Sequence, residues 1–338
     1  MQETSETKKI VHEQDTVYVD EASSGEELSK KPPSIFILFW KEVFNDFFAT
    51  LGICLLVIIF LGIYISAFVI ERRMNVMAPN MEFTNVSPRG WQQQTVWDVD
   101  GIRLDFVDVG FPTLLGTDVV GRQIAPLMMV SARNSLNIGL AVAFMSYIIG
   151  ITLGLISGYF GNHVDNAIMR ITDTVTMLPF LMVMIALIAM LESRSLLMFI
   201  VILTAFTWMG RVRLVRAACM QQSNLDYVHA CKTLGTRNPV IIIREVLPNI
   251  VDVVVANFVL TIATSIGIET GLTILGFGLG IEYPSLGFMI NSAMEPVNLQ
   301  FYRWVWAPAV VLVVVIVLCI NFVGQALQRV ADPRQRLV

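Results

Sequence analysis

Side chains able to bind a metal, attack a carbon centre or relay protons are few in this sequence, and their spacing assembles no catalytic set. Cys54, Cys219, Cys231 and Cys319 are scattered without a C-x-x-C pair and mostly sit in or beside apolar runs, so they read as small hydrophobes. His12, His163 and His229 are too far apart for a local ligand motif, and no metal site follows. GFGLG at 276–280 lacks the Lys-Ser/Thr of a phosphate loop and ends an apolar run instead of following a strand. If ATP energy is used, another subunit has to hold the nucleotide. Glu269, inside TSIGIETGLTILGFG, is an acid within an apolar run; a central charge costs about 2.5–3.5 kcal/mol there, so it must face the bundle interior, water or a partner. It reads as a buried, hydrogen-bonded structural carboxylate, with a proton or ion site in a secondary carrier as the alternative. Asp165, Arg170 and Asp173, in VDNAIMRITD, read as a solvated helix start rather than a proton relay.

The stretch YVHACKTLGTRNPVIIIREVLPNI, residues 227–250, stands out as a polar island between apolar runs. DYVHACKTLG forms a short helix with Ala230 and Cys231 adjacent, Gly235 breaks it, and Pro239 suits the first turn of another helix. VIIIREVL buries one apolar side and Pro248 closes the unit. The product is a helix-turn-helix knob, basic at its edges and smooth at its tip, shaped to dock on a partner protein.

The elements that position these residues follow from composition. A hydrophobic content of 55% with 15% charged residues lies outside soluble usage, and the charges gather in islands between long uncharged spans. Residues 1–33 hold eight acids and almost no aromatics; they account for most of the formal net charge of −4 and predict a disordered tail. No basic face for nucleic acid emerges. Residues 34–47 suit an amphipathic helix on the membrane surface. About 20 apolar residues cross a bilayer, which predicts six spans at 48–70, 137–160, 174–191, 196–210 with its helical continuation, 253–278 and 304–327. The first span begins too late, and is too long, for a secretory signal, so it stays as an anchor. Residues 71–135 form an extracellular insert and pre-helix segment, with a β-hairpin expected around Asp100-Gly101. The transmembrane core is then 136–328, with a cytoplasmic loop at 219–250 and a C-terminus at 329–338. Arg211, Arg213, Arg216, Lys232, Arg237 and Arg244 on one side, joined by Arg329, Arg334 and Arg336, place both termini in the cytoplasm.

The knob resembles the cytoplasmic EAA coupling loop of ABC importer permeases, through His229-Ala230-Cys231, Gly235 and Leu247-Pro248, with Tyr227 at its start. His229 stands where that family usually has Glu, and Cys231 replaces an Ala. LLGTDVVGRQIAPLMMVSARNSL is similar to a segment of dipeptide and oligopeptide permeases through Gly116, Thr117, Asp118, Gly121, Arg122, Ala132, Arg133, Ser135 and Leu136, with Gln123 in place of the usual Asp. The pattern continues through Gly158, Tyr159, Gly161, Asp165, Arg170, Asp173, Pro179, Phe180 and Leu181, then through ETGLTILGFGLG with Glu269, PSLG and a closing ADPR. The resemblance covers about 110–335 and leaves the tail and the 71–111 insert outside it.

It implies an all-α integral membrane protein of six transmembrane helices with the type I ABC importer permease fold. It also implies the C-type subunit of an oligopeptide importer in a bacterial cell membrane. The implied partners are a B-type permease, two ATPase subunits carrying ATP and Mg, an extracellular or periplasmic binding protein, peptide substrate and membrane lipid. The chain itself would be no enzyme and hold no cofactor. Dipeptide or nickel import stays open within the family, and a proton-coupled carrier using Glu269 stays open outside it.

Overall fold

The computed structural model describes residues 47–73, 85, 115–191 and 195–331. The expected tail at 1–33, the interfacial helix at 34–47 (apart from Phe47), the hairpin around Asp100-Gly101 and residues 332–338 lie outside the described residues. Among the described residues the chain is helical, apart from turns and one isolated β-bridge between Thr117 and Gln123.

Helix α1 (Phe47–Arg73) carries no charge until Glu71 and runs three residues past the expected end of the first span. Helix α2 (Ile124–Phe160) starts 13 residues before the expected Asn137, so what reads as pre-helix segment is already helix. Its 37 residues extend about 55 Å, well beyond a hydrocarbon core of about 30 Å. The third span departs most from expectation. In place of one helix over 174–191, α3 (Asn162–Thr176) and α4 (Phe180–Ala189) meet at an angle of 75°. Pro179 causes the break: it has no N–H to donate back, and its ring disfavours helical backbone at Leu178. Helix α4, at ten residues, is too short to cross alone, so among the described residues five continuous helices are long and apolar enough to cross, and a sixth span is reached by taking the bent pair as one.

Helix α5 (Leu196–Ser223) starts at Ser195, whose Oγ accepts from the Met198 N–H at 3.3 Å. After the short α6 (Asp226–Thr233) and α7 (Asn238–Ile241), a π-turn at Ile242–Val246 leads into α8 (Leu247–Leu272) and a second π-turn at Thr273–Phe277. Pro248 therefore does not close the knob. The helix runs on through Pro248 and stays helical until Gly276, whose φ of 89° breaks it, and the wider π-turn just before Pro248 takes up the missing N–H and the bulk of the ring. Two short helices, α9 (Leu286–Ser292) and α10 (Pro296–Phe301), precede α11 (Arg303–Ala331).

Close packing of α2 against α5 falls to a row of glycines. Gly150, Gly154 and Gly158 recur every four residues on α2 and bring its backbone against α5. A Cβ on Gly154 would lie 2.9 Å from the Val212 carbonyl oxygen, and one on Gly158 would lie 2.8 Å from that of Arg216. A Cβ at Gly267 or Gly271 would meet nothing within 4 Å, so these two line an open face of α8. On another side of α2, Ile63 of α1, Ile266 of α8, Leu286 of α9 and Ile316 and Ile320 of α11 form the main apolar core with Ile124 and Leu127.

Candidate functional site

The sequence-predicted site residues collect in two groups at opposite ends of α2. Ser135 belongs to one and Ser157 to the other, about 33 Å apart along the helix.

At the first end, the loop before α2 folds back on itself. The Gly116 oxygen accepts from Ile124 N–H at 3.0 Å, and the Asp118 carboxylate accepts from Val120 N–H, Arg122 N–H and Arg122 Nε at 3.0, 2.9 and 2.7 Å. Asp118 and Arg122 are both buried, and the guanidinium lies 5.5 Å from the Phe288 ring centre. Gly116 and Gly121 hold φ of 78° and 76°, the left-handed turns that this closure requires. Thr117 is buried in the same loop. Arg133 donates two hydrogen bonds of 2.6 Å to Glu71, which explains why α1 continues to Arg73.

Glu269 lies next to this group, buried at 1% exposure. Its Oε2 accepts from Ser135 Oγ at 3.1 Å and from Thr270 Oγ1 at 3.3 Å, while Oε1 accepts from Thr273 Oγ1 at 3.0 Å. Ser135 Oγ in turn accepts from Leu286 N–H at 3.1 Å. The carboxylate thus ties α2, α8, the π-turn and the start of α9 together, which is the structural arrangement expected of a buried acid in lipid.

The second group surrounds the knob. Helix α6 carries Asp226 in its first turn and Lys232 in its last, complementing the helix dipole. It ends in a Schellman motif: Gly235 N–H donates to the Lys232 oxygen at 3.0 Å, and Thr236 N–H to that of Cys231 at 3.1 Å. Gly235 has φ of 76° and open space at its Cβ position, so the backbone conformation rather than room demands glycine. Val228 is fully buried and, with Tyr227 and Cys231, packs into a core made by Leu155, Val215, Cys219, Ile241, Val246 and the partly buried Leu247. Cys231 is therefore a packing residue, whereas Ala230 faces outward with His229, Lys232, Thr233 and Leu234. Leu234, at the tip, is 84% exposed. Pro248 is exposed beside the partly buried Leu247.

Polar contacts fix the knob to three long helices. Tyr227 Oη donates to Gln222 Oε1 of α5 at 3.1 Å and accepts from Asn249 Nδ2 of α8 at 3.4 Å. Burial holds the Tyr227 phenol above its ordinary pKa, so it stays neutral and able to donate. At the end of α2, Tyr159 Oη donates to Asn238 Oδ1 at 3.1 Å, and the Lys232 ammonium lies 4.8 Å from the Tyr159 ring centre.

Asp165 and Asp173 are more than a solvated helix start. Arg216 clasps Asp165 through Nε and through Nη2 at 2.5 Å, and Ser157 Oγ donates to the same carboxylate at 2.5 Å. Arg213 donates to Asp173 Oδ1 at 2.7 Å and to Thr176 Oγ1 at 3.1 Å. These pairs bind α3 to α5 just ahead of the knob; Arg170 stays on the exposed side of α3. The spacing held a signal for this, because residues 213 and 216 are one turn apart on α5, and residues 165 and 173 are about two turns apart on α3.

Among the described residues no reacting constellation arises from this geometry. It offers an exposed helical tip, braced against α2, α5 and α8, at one end of a helical bundle, and a pinned polar lock at the other.

Residues 150–337 match the family described as binding-protein-dependent transport system inner membrane component. The chain is 46% identical over 222 residues to the oligopeptide transport system permease protein OppC of Lactococcus lactis subsp. lactis (strain IL1403), covering 66% of this chain and 76% of that protein. It is 30% identical over 328 residues to the dipeptide transport system permease protein DppC of Lactococcus lactis subsp. cremoris (strain MG1363), covering 93% and 94%. Among solved structures, an inward-facing conformation of the MetNI methionine ABC transporter is similar at 19% identity with a TM-score of 0.48, covering 61% of this chain and 96% of that one.

Proposed function

We propose, from the premise that this chain belongs to the family of binding-protein-dependent transport system inner membrane components, that it is one half of the translocation pathway of an ATP-driven oligopeptide importer. The oligopeptide reading rests on the 46% identity to OppC. The observation that carries the mechanism is the exposed tip of α6, where Leu234 stands 84% exposed on a helix whose other face is packed and hydrogen-bonded to the spans.

In this reading the tip seats in a groove of a cytoplasmic ATPase subunit. His229, Ala230 and Leu234 contact that subunit, while Tyr227, Cys231 and Leu247 transmit the movement inward. Both termini then lie in the cytoplasm, and a second permease completes the pathway against open faces such as that of Gly267 and Gly271. ATP binding shifts the pair between inward-open and outward-open states, because the ATPase contacts α6 differently in each. The extracellular side receives peptide from a binding protein, and the described part of this chain contributes shape and leverage rather than chemistry.

Purification of the tagged chain from its native membrane tests this reading. A second permease and two ATPases should copurify, with a peptide-binding protein captured when peptide is present. A functional chain recovered alone overturns it. Dipeptide import is the second reading, favoured by the DppC relative that aligns over 93% of the chain. Competition between dipeptides and longer peptides for uptake separates the two.

A further inference from the structure

Arg211 lies within α5, 15 residues after Leu196, or about 22 Å along the helix. It is half-buried, and its Nε is enclosed without a hydrogen-bond partner. Among the described residues the other buried or half-buried arginines with assigned contacts each have an acid: Arg122 has Asp118, Arg133 has Glu71 and Arg216 has Asp165. Arg211 has no such pair. Its backbone is pressed against Gly150 of α2, and its guanidinium carbon lies 6.0 Å from the Tyr147 ring centre. The Tyr147 hydroxyl is buried beside Thr261 of α8. One turn away from Thr261 the Ser265 hydroxyl is buried without a partner, as is that of Thr204 two turns before Arg211 on α5. An unmatched cation and two unfilled hydroxyls therefore belong to α5 and α8 within the spans, with Tyr147 of α2 beside them. A charge at such depth faces water, a partner or a polar path rather than lipid.

We propose that Arg211 is a substrate contact in the inner part of the pathway and receives the C-terminal carboxylate of the passing peptide. Carboxylate is the group that fits: guanidinium binds it through paired N–H donors, and every unmodified peptide carries one whatever its sequence. The contact is open to many peptides yet selects against those lacking a free C-terminus. This rests on the peptide-importer reading above.

The test is ATP-dependent uptake by the assembled transporter of one labelled peptide, prepared with a free carboxylate and as its C-terminal amide. Wild type should favour the free acid. Arg211→Gln should lower the acid-to-amide ratio about tenfold through slower uptake of the acid, as loss of a charge-assisted hydrogen bond implies. Arg211→Lys should keep most of the preference. An unchanged ratio in Arg211→Gln overturns the proposal. Equal loss of both substrates, together with loss of the copurifying second permease, also overturns it and makes Arg211 an inter-subunit contact. Wild type that carries neither peptide refutes the importer reading itself, whatever the variants do.

Discussion

Replacing Leu234 by Ser removes the apolar tip of α6 while leaving the helix end intact. Leu234 has ordinary helix-end backbone angles, φ −75° and ψ 2°, so Ser fits without strain. At 84% exposure the side chain contributes almost nothing to this chain's own core, and an exposed substitution of this kind changes fold stability by no more than about 0.5 kcal/mol. Burying a leucine fully is worth about 1.5–3 kcal/mol, and nearly all of that gain is still available to a partner. If the ATPase groove covers Leu234, the variant should bind the ATPase with about 2 kcal/mol less free energy, or roughly 30-fold higher Kd. The assay is titration of purified ATPase onto the reconstituted permease pair, with the thermal midpoint of the permease pair measured alongside. A Kd within about twofold of wild type would refute the assignment of α6 as the coupling element. A lowered midpoint would show that Leu234 is packed rather than free.

Two other perturbations separate structural from transport roles. Gly154→Leu places a side chain where the Val212 carbonyl would lie 2.9 Å from its Cβ, so α2 and α5 must part and detergent stability should fall by about 1–3 kcal/mol; Gly267→Leu, with open space, should leave the isolated chain as stable as wild type. Glu269→Gln keeps one acceptor oxygen and turns the other position into an amide donor toward which a hydroxyl can rotate to accept, so it should retain transport, whereas Glu269→Leu strands the Ser135 and Thr273 hydroxyls and should lower the unfolding midpoint, at about 1–3 kcal/mol per unsatisfied group. Transport abolished by Glu269→Gln in a normally folded protein would instead make Glu269 a proton-carrying site.

Much of this arrangement was legible in the sequence, and the parts that were not share a physical cause. Long uncharged runs set the span number because lipid penalises charge in a way that composition records directly. Gly235 was readable as a helix end because its positive φ admits few other residues. Pro179 and Pro248 were harder. The two prolines carry the same local rule, yet one broke its helix and the other was absorbed by a π-turn, a difference that the local rule does not carry. The packing glycines on α2 were hidden because a Gly-x-x-x-Gly spacing acts only when a facing backbone approaches, and that depends on α5. The role of Asp165 and Asp173 likewise needed Arg213 and Arg216, some 40 to 51 positions away in sequence. Arg211 looked like one more cation of the cytoplasmic loop. Only the burial of its Nε and the absence of an acid partner set it apart.

The most direct measurement of what drives transport uses proteoliposomes containing this chain, its second permease and the two ATPases, with binding protein and labelled oligopeptide on the extracellular side. Uptake should require ATP on the ATPase side and the binding protein, and an imposed pH gradient without ATP should drive none. Uptake driven by the pH gradient alone, in liposomes holding only this chain, would contradict an ATP-driven permease subunit.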